Sequence, residues 1–273
     1  MADKVSQNID NYIIMFRDIY EPVQNLENSF HQILAKLVES LTPCAQLITK
    51  NKIEDIKIRI PVIFAWFIAL VNKSIIKEIS FNEIVWSKYP YICPYCLSGE
   101  NTNNSVCICN GMTKVKLREN LEKIKNFSIE NAKLKPKTLK DWQTLFGNVY
   151  PKKFSESEIK AIVLHIYEEI GETSEAYRLK YYNKAYLFNE LSDIFTWIIA
   201  LANAFEDECG YDLQASVRSK YQDKCHICKL KPCKCTKLIK EPRLTSEDWN
   251  SHDDIENWST YQELALKFHK KKI

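Results

Sequence analysis

The sequence predicts an all-α protein, and two properties of the chain support this fold class. Its 273 residues include only five glycines and nine prolines, the residues that most often interrupt helices or form turns. Apolar residues recur with helical periodicity in several long segments that are rich in Lys, Glu, Leu, Ile and Ala. We therefore expect helices joined by short loops.

The chain also contains an internal duplication, at a shift of about 131 residues. Residues 63–72 match residues 194–203, and a Ser-Lys-Tyr sequence at 87–89 recurs at 219–221. In each half a CxxC follows the Ser-Lys-Tyr sequence, and a CxC closes the half. Because these matches keep their order along the chain, we predict two copies of one helical unit.

Each copy is predicted to contain a leading segment, two long helices, a shorter helix and a cysteine module. In the second copy these helical parts are expected at 142–150, about 155–181, about 185–206 and about 212–221. Ser155 and Glu158 form a capping-box pattern at the start of the first long helix. The predicted domains are a first copy (1–112), a connecting helix and linker (113–140), a second copy (141–240) and a C-terminal helical tail (241–273).

Two acidic motifs carry the chemistry of the second copy. They are EExxE at 168–172 and ExxD at 190–193, each within a segment of helical periodicity. Glu190 falls on the same helix face as Leu187 and Ile194, a stripe that should point into a core. A lone carboxylate there would cost several kcal/mol unless its charge were balanced. We therefore expect the acids of both motifs to converge on a divalent cation, most simply Mg²⁺.

The predicted Mg²⁺ ligands are Glu169, Glu172, Glu190 and Asp193, and Glu168 is expected to orient or deprotonate a water molecule. A solvated acidic helix face is the alternative for EExxE alone. A di-iron site is a second alternative, but such sites usually pair ExxH motifs on two helices. His165 precedes the acids in the reverse order, HxxE, and is expected to pack or to support a ligand.

The two copies differ where the acids lie. At the positions of Glu190 and Asp193, the first copy has Arg59 and Val62. The first copy keeps the apolar packing positions but has lost these acids. We therefore predict that the second copy is active and the first is structural.

The cysteines form two clusters with the spacing of metal ligands. The first is Cys93, Cys96, Cys107 and Cys109, and the second is Cys225, Cys228, Cys233 and Cys235. Four thiolates at this spacing favour a structural, tetrahedral zinc ion in each cluster; disulfides and an iron–sulfur cluster are the alternatives. The two remaining cysteines, Cys44 and Cys209, are expected to be buried free thiols.

The acidic motifs, with the helices around them, resemble the MazG-type all-α nucleoside triphosphate pyrophosphohydrolases, which are related to the dimeric dUTPases. That family carries EExxE, a variable spacer and ExxD on two helices, and the similarity extends from Trp142 to Tyr221 and more weakly through the first copy. The resemblance implies Mg²⁺ on Glu169, Glu172 and the two ExxD acids. It also implies hydrolysis between the α- and β-phosphates, which yields a nucleoside monophosphate and pyrophosphate.

Family members build their sites at contacts between subunits, so the two copies are expected to pack as a pseudo-dimer of MazG-like helical bundles, each ending in a small four-cysteine zinc module. Trp66 and Arg59 of the first copy could then help to form the nucleotide pocket. In the second copy Lys184, Arg218 and Lys220 are candidate phosphate contacts.

The charge and the apolar segments exclude other classes. A net charge of +3 and a pI near 8.2 are too balanced to indicate a nucleic-acid surface. The longest apolar run, Ile60 to Val71, is shorter than the roughly 20 residues that a membrane span needs, and residues 1–10 contain no signal-peptide core. We expect a cytoplasmic protein that acts on a (d)NTP, with a homo-oligomer of pseudo-dimers as one arrangement.

Two other functions remain open from the sequence. The chain could be a helical scaffold or regulatory module that binds a protein or nucleic acid through its zinc modules. It could also hydrolyse a different pyrophosphate, such as an alarmone or a nucleotide sugar.

Overall fold

The computed structural model of the chain describes residues 8–22, 28–74, 79–99, 106–107, 114–152, 154–180 and 183–235. These residues form nine α-helices and two short 3₁₀ helices, and no β-strand occurs among them, which confirms the predicted all-α class. The chain divides into two compact units, Met1–Cys233 and Lys234–Ile273. All nine helices belong to the first unit, and the predicted tail helix within 241–273 lies outside the described residues.

The order of the helices repeats. They are α1 (Ile9–Tyr20), α2 (Phe30–Thr49), α3 (Ile60–Ser74), α4 (Phe81–Lys88), α5 (Lys114–Glu130), α6 (Leu139–Val149), α7 (Glu156–Leu179), α8 (Lys184–Cys209) and α9 (Leu213–Tyr221). The helices α1 to α4 lie in the first copy and α6 to α9 in the second, and α5 is the connecting helix expected over 113–132.

The two long helices of the second copy begin and end at residues suited to those positions. The Ser155 hydroxyl accepts a hydrogen bond from the Glu158 N–H at 3.2 Å, which satisfies one free amide in the first turn of α7. Asn183 caps α8 in the same way. The helix α8 ends at Gly210, whose φ of +64° lies in the left-handed region that favours glycine. These caps define the helices that carry the two acidic motifs.

The contacts among the eight helices of the two copies occur in matching pairs. The helix α2 packs on α3 as α7 packs on α8, α1 contacts α3 as α6 contacts α8, and α1 contacts α4 as α6 contacts α9. Between the copies α2 contacts α7 and α3 contacts α8, while α4 packs on α8 and α9 packs on α3. The short last helix of each copy therefore lies against the second long helix of the other copy.

Side-chain contacts repeat in the same way. The Asn72 amide donates to the Ile13 carbonyl at 3.1 Å, and the Asn203 amide donates to the Gln143 carbonyl at 3.0 Å. Four matched ring contacts are Tyr12–Phe64 with Trp142–Phe195, Phe16–Phe64 with Phe146–Phe195, Phe16–Tyr221 with Phe146–Tyr89, and Tyr20–Tyr221 with Tyr150–Tyr89. The duplication in the sequence is accompanied by duplicated packing.

The centre of the core is the contact between α3 and α8. Phe195 of α8 is fully buried, and its ring lies 6.1 Å from the ring of Phe67 on α3. Among the described helices α8 alone is long and apolar enough to cross a membrane, but 67% of the relevant window is buried within the protein. The core helix of a soluble protein has these same properties, so the length of α8 is weak evidence for a membrane span.

Replacing Phe195 with alanine should lower the free energy of unfolding by about 3–5 kcal/mol, because it leaves a cavity between α3 and α8. Urea unfolding, followed by circular dichroism, measures this change. Leu164→Ala is the matched control, since Leu164 on α7 is 68% exposed and its loss should change stability by only about 0.5 kcal/mol or less. Equal effects of the two substitutions would contradict the described core.

Candidate functional site

The two acidic motifs meet inside the protein, because α7 and α8 pack along each other. Glu169, Glu190 and Asp193 each offer a carboxylate oxygen, and these three atoms lie within 4.8 Å of one another. Glu190 is only 1% exposed and Asp193 9%, while Glu169 is half-buried. The predicted convergence of the EExxE and ExxD acids is therefore present for three residues, which we call the acid cluster.

The acid cluster carries unfavourable negative charge. Burial, followed by the charges of Asp193 and Glu190, raises the pKa of Glu169 to about 8. Burial and the charge of Asp193 raise the pKa of Glu190 to about 7. Shifts of this kind arise where carboxyl groups are desolvated and lie close to other carboxylates. Glu172 contributes to both shifts, so this fourth predicted ligand lies near the acid cluster although it is not one of the three.

The first copy supplies two residues to the site that sequence reasoning missed. Lys88, the last residue of α4, donates to an oxygen of Asp193 at 2.5 Å, and the Tyr89 hydroxyl donates to the same oxygen. Both side chains reach Asp193 because α4 packs across the copies on α8. Burial and the charges of Asp193, Glu169 and Glu190 raise the pKa of Tyr95 above its usual range, which places Tyr95 close to the cluster as well.

Trp197 and His165 form an aromatic stack next to Glu169 of the acid cluster. The indole N–H of Trp197 donates to Glu169 at 3.3 Å, and the imidazole of His165 stacks on Trp197 with ring centroids 4.2 Å apart. His165 also shares a hydrogen bond of 2.9 Å with the carboxylate of Glu168. Glu168 itself is exposed, whereas Glu169 is half-buried.

The three residues predicted to contact phosphate lie in three different surroundings. Lys184 is exposed at the first turn of α8. Arg218 lines a cavity of about 720 Å³ between α1 and α9, together with Tyr12 and Lys231. Burial, followed by the charge of Lys220, lowers the pKa of His226, so Lys220 lies near that histidine. In the duplicated sequence Lys220 occupies the position of Lys88.

In the first copy, Arg59 and Val62 stand at the positions of Glu190 and Asp193. Arg59, which replaces Glu190, is exposed. Val62, which replaces Asp193, lines a cavity of about 220 Å³ together with Trp66. Trp66 was expected to help form a nucleotide pocket, and the structure places it in this cavity.

The first cysteine cluster could hold a metal ion such as zinc. The thiols of Cys93, Cys96 and Cys107 lie within 4.8 Å of one another, and the fourth predicted ligand, Cys109, lies outside the described residues. A hydrogen bond from the Cys107 thiol is the main cause that lowers the pKa of Cys93 to about 5. The thiolate is the form that binds a metal ion.

The second cysteine cluster has the same local backbone. The Cys225 N–H donates to the Leu230 carbonyl and the Lys229 N–H to the Cys225 carbonyl, as Cys93 N–H does to Ser98 and Leu97 N–H to Cys93 in the first cluster. The thiols of Cys225, Cys228 and Cys233 lie within 4.8 Å of one another and could hold a metal ion such as zinc. The fourth predicted ligand, Cys235, follows two residues further along the chain.

Each cysteine cluster is hydrogen-bonded to the other copy. The Cys107 N–H donates to the carbonyl of Val149, at the end of α6, at 2.8 Å. The Cys233 N–H donates to the carbonyl of Ile19, in α1, at 2.7 Å.

The two isolated cysteines differ from each other, since Cys44 is buried as expected but Cys209 is exposed. The prediction for Cys209 was wrong because this residue ends α8, beyond its buried face.

The fold and the site thus define an all-α protein with a buried acid cluster and two cysteine clusters that could each bind a metal ion. No protein-family model, curated protein or solved structure matches the chain.

In Mg²⁺-free buffer the protein should become less stable as the pH rises from about 4.5 to about 8. The folded protein keeps Glu190 protonated up to a pH of about 7 and Glu169 up to about 8, whereas the unfolded chain ionises both near the ordinary value of 4.5. Stability therefore falls wherever the folded state binds more protons. Thermal unfolding at several pH values measures the slope, which Glu190→Gln should reduce and Glu175→Gln, at an exposed position of α7, should not. Equal slopes in all three proteins would refute the charge arrangement.

Purified protein kept reduced should contain about two zinc ions per chain, one for each cysteine cluster. Cys225→Ser should remove about one of them and lower stability, because metal binding is coupled to local folding. Elemental analysis measures the metal content. Cys209→Ser is the control, since Cys209 lies outside both clusters, and it should lose none. A metal content near zero in the reduced wild-type protein would reject both zinc sites.

Proposed function

We propose that the chain is a Mg²⁺-dependent nucleotide pyrophosphohydrolase, which cleaves a (d)NTP to the nucleoside monophosphate and pyrophosphate. One observation carries this proposal: Glu169, Glu190 and Asp193 converge from two helices in the protein interior. Three carboxylates beside Lys88 leave an excess of negative charge, and buried charges in folded proteins are paired or coordinate metals. The motifs that supply these acids are the ones that resemble the MazG-type enzymes.

The donor set fits Mg²⁺. The side-chain donors of the acid cluster are carboxylate oxygens, the hard ligands that Mg²⁺ prefers, whereas cysteine sulfur suits zinc. Glu169, Glu190 and Asp193 would hold the ion, and Glu172, one turn further along α7, would add a fourth carboxylate. Bound there, Mg²⁺ supplies neutralising charge for phosphate oxygens and lowers the pKa of a water ligand.

The chain's own residues have separate parts in this reaction. Lys88 and Tyr89 hold the carboxylate of Asp193 in one orientation, and the ammonium group of Lys88 adds positive charge near the phosphates. The Trp197 N–H orients Glu169. Glu168 would accept the proton of the attacking water, since it is the exposed acid beside the cluster and shares a hydrogen bond with His165.

We further propose that the two copies act as the two subunits of a pseudo-dimer with one active site. The matched helix contacts support this arrangement, because a two-fold interface uses the same surface on both sides. The second copy would supply the acids and the first copy would supply Lys88 and Tyr89. The first copy would then supply none of the acids, yet the site would require its Lys88 and Tyr89.

Pyrophosphate release from a panel of (d)NTPs with Mg²⁺ tests the proposal. The wild-type protein should hydrolyse at least one member, and Glu190→Gln should lower kcat by about 100-fold or more, because it removes a direct metal ligand. Glu175→Gln is the matched control, and its activity should stay close to wild type because this acid is exposed on α7.

Activity that survives Glu190→Gln would remove the acid cluster from the mechanism. A wild-type protein that hydrolyses no nucleotide in the panel, while its fold and zinc content are intact, would favour the scaffold that binds a partner through the cysteine clusters.

A further inference from the structure

The first copy contains a cavity at the place equivalent to the acid cluster, which we call the sister cavity. Its volume is about 220 Å³. Its floor is one face of α3, formed by Val62, Ala65, Trp66 and Ala69, which are spaced as neighbours along a helix. Val62 occupies the position of Asp193 and Trp66 that of Trp197. Over residues 60–71 the other side chains of α3 are buried, whereas Val62, Ala65 and Trp66 remain partly exposed because they face this space.

Two tyrosines, one histidine, Cys225 and Ile227 form the walls of the sister cavity. Tyr20 comes from the end of α1, Tyr221 from the end of α9, and His226 from the second cysteine cluster. The Tyr20 hydroxyl shares a hydrogen bond of 3.3 Å with His226 Nδ1, and the Tyr221 and His226 rings meet edge to face at 5.3 Å. The walls therefore combine ring surfaces with polar groups.

The sister cavity lacks the carboxylates of the acid cluster among the described residues that line it. Among the described residues that line it, none is an acid, a lysine or an arginine. A phosphate group would lose its hydration there without gaining a lysine or arginine partner among the described lining residues. An uncharged ligand loses little on entry, and its ring can pack on tryptophan and tyrosine.

The size of the cavity limits the ligand to one or two rings. An apolar cavity of about 150 Å³ in another protein accommodates benzene, so the larger sister cavity can take a bicyclic ring. We propose that the sister cavity binds an uncharged planar heterocycle of nucleobase size, with the ring packed against Trp66 and its polar edge toward Tyr20 and His226. This ligand is distinct from the triphosphate at the acid cluster, and its binding does not depend on the proposed hydrolysis.

Saturation-transfer NMR with adenine as the probe, and with indole as an apolar ring of similar size, tests this binding. Adenine should receive saturation from the wild-type protein, and added Mg²⁺ and pyrophosphate should not reduce the signal, because those ions compete only for the acid cluster. Ala65→Leu should reduce the adenine signal at least severalfold by filling the cavity. Ala161→Leu, at an exposed position of α7, is the matched control and should leave the signal unchanged.

Circular dichroism establishes that each variant folds, and Ala69→Val replaces Ala65→Leu if the latter does not. The proposal is overturned by a wild-type protein that transfers saturation to indole but not to adenine, since the cavity would then be merely apolar. It is also overturned if neither probe is saturated, if pyrophosphate abolishes the adenine signal, or if the filled variant binds adenine as well as the wild type.

Discussion

The buried ion pair between Lys88 and Asp193 joins the two copies at the acid cluster. Asp193 lies in the interior, where an unpaired carboxylate would be strongly destabilising. Its cation comes from α4 of the other copy, so the pair requires α4 to lie against α8. The packing of α1 and α6 on the third helix of each copy and the cross-copy bonds of the cysteine clusters support the same arrangement. The geometry of the site is therefore a property of both copies together.

Sequence periodicity was sufficient to locate the helices, because the apolar stripes of α7 and α8 are the surfaces that the structure buries. It was also sufficient to predict that Glu190 and Asp193 lie together, because a carboxylate on an apolar stripe is stable only where its charge is balanced. Lys88 could not be found in this way. The duplication gives Lys88 and Lys220 the same sequence context, and only the crossed packing decides which lysine reaches the acids.

The two equivalent places differ at the positions of the acids. One place holds Glu190 and Asp193 beside Trp197, and the other has Arg59 and Val62 beside Trp66. The aromatic residue and the surrounding helices are kept in both, whereas the acids are present only in the second copy. A substitution in the first copy can alter the sister cavity without touching a carboxylate.

The reciprocal bonds from Cys107 to Val149 and from Cys233 to Ile19 have a consequence for how such a chain can evolve. In a homodimer every amino-acid change is present twice, so neither half can depart from the other. Once both halves are encoded in one gene, each can vary separately while these hydrogen bonds continue to hold the two copies together. Covalent fusion therefore allows the two copies to acquire different residues at equivalent positions.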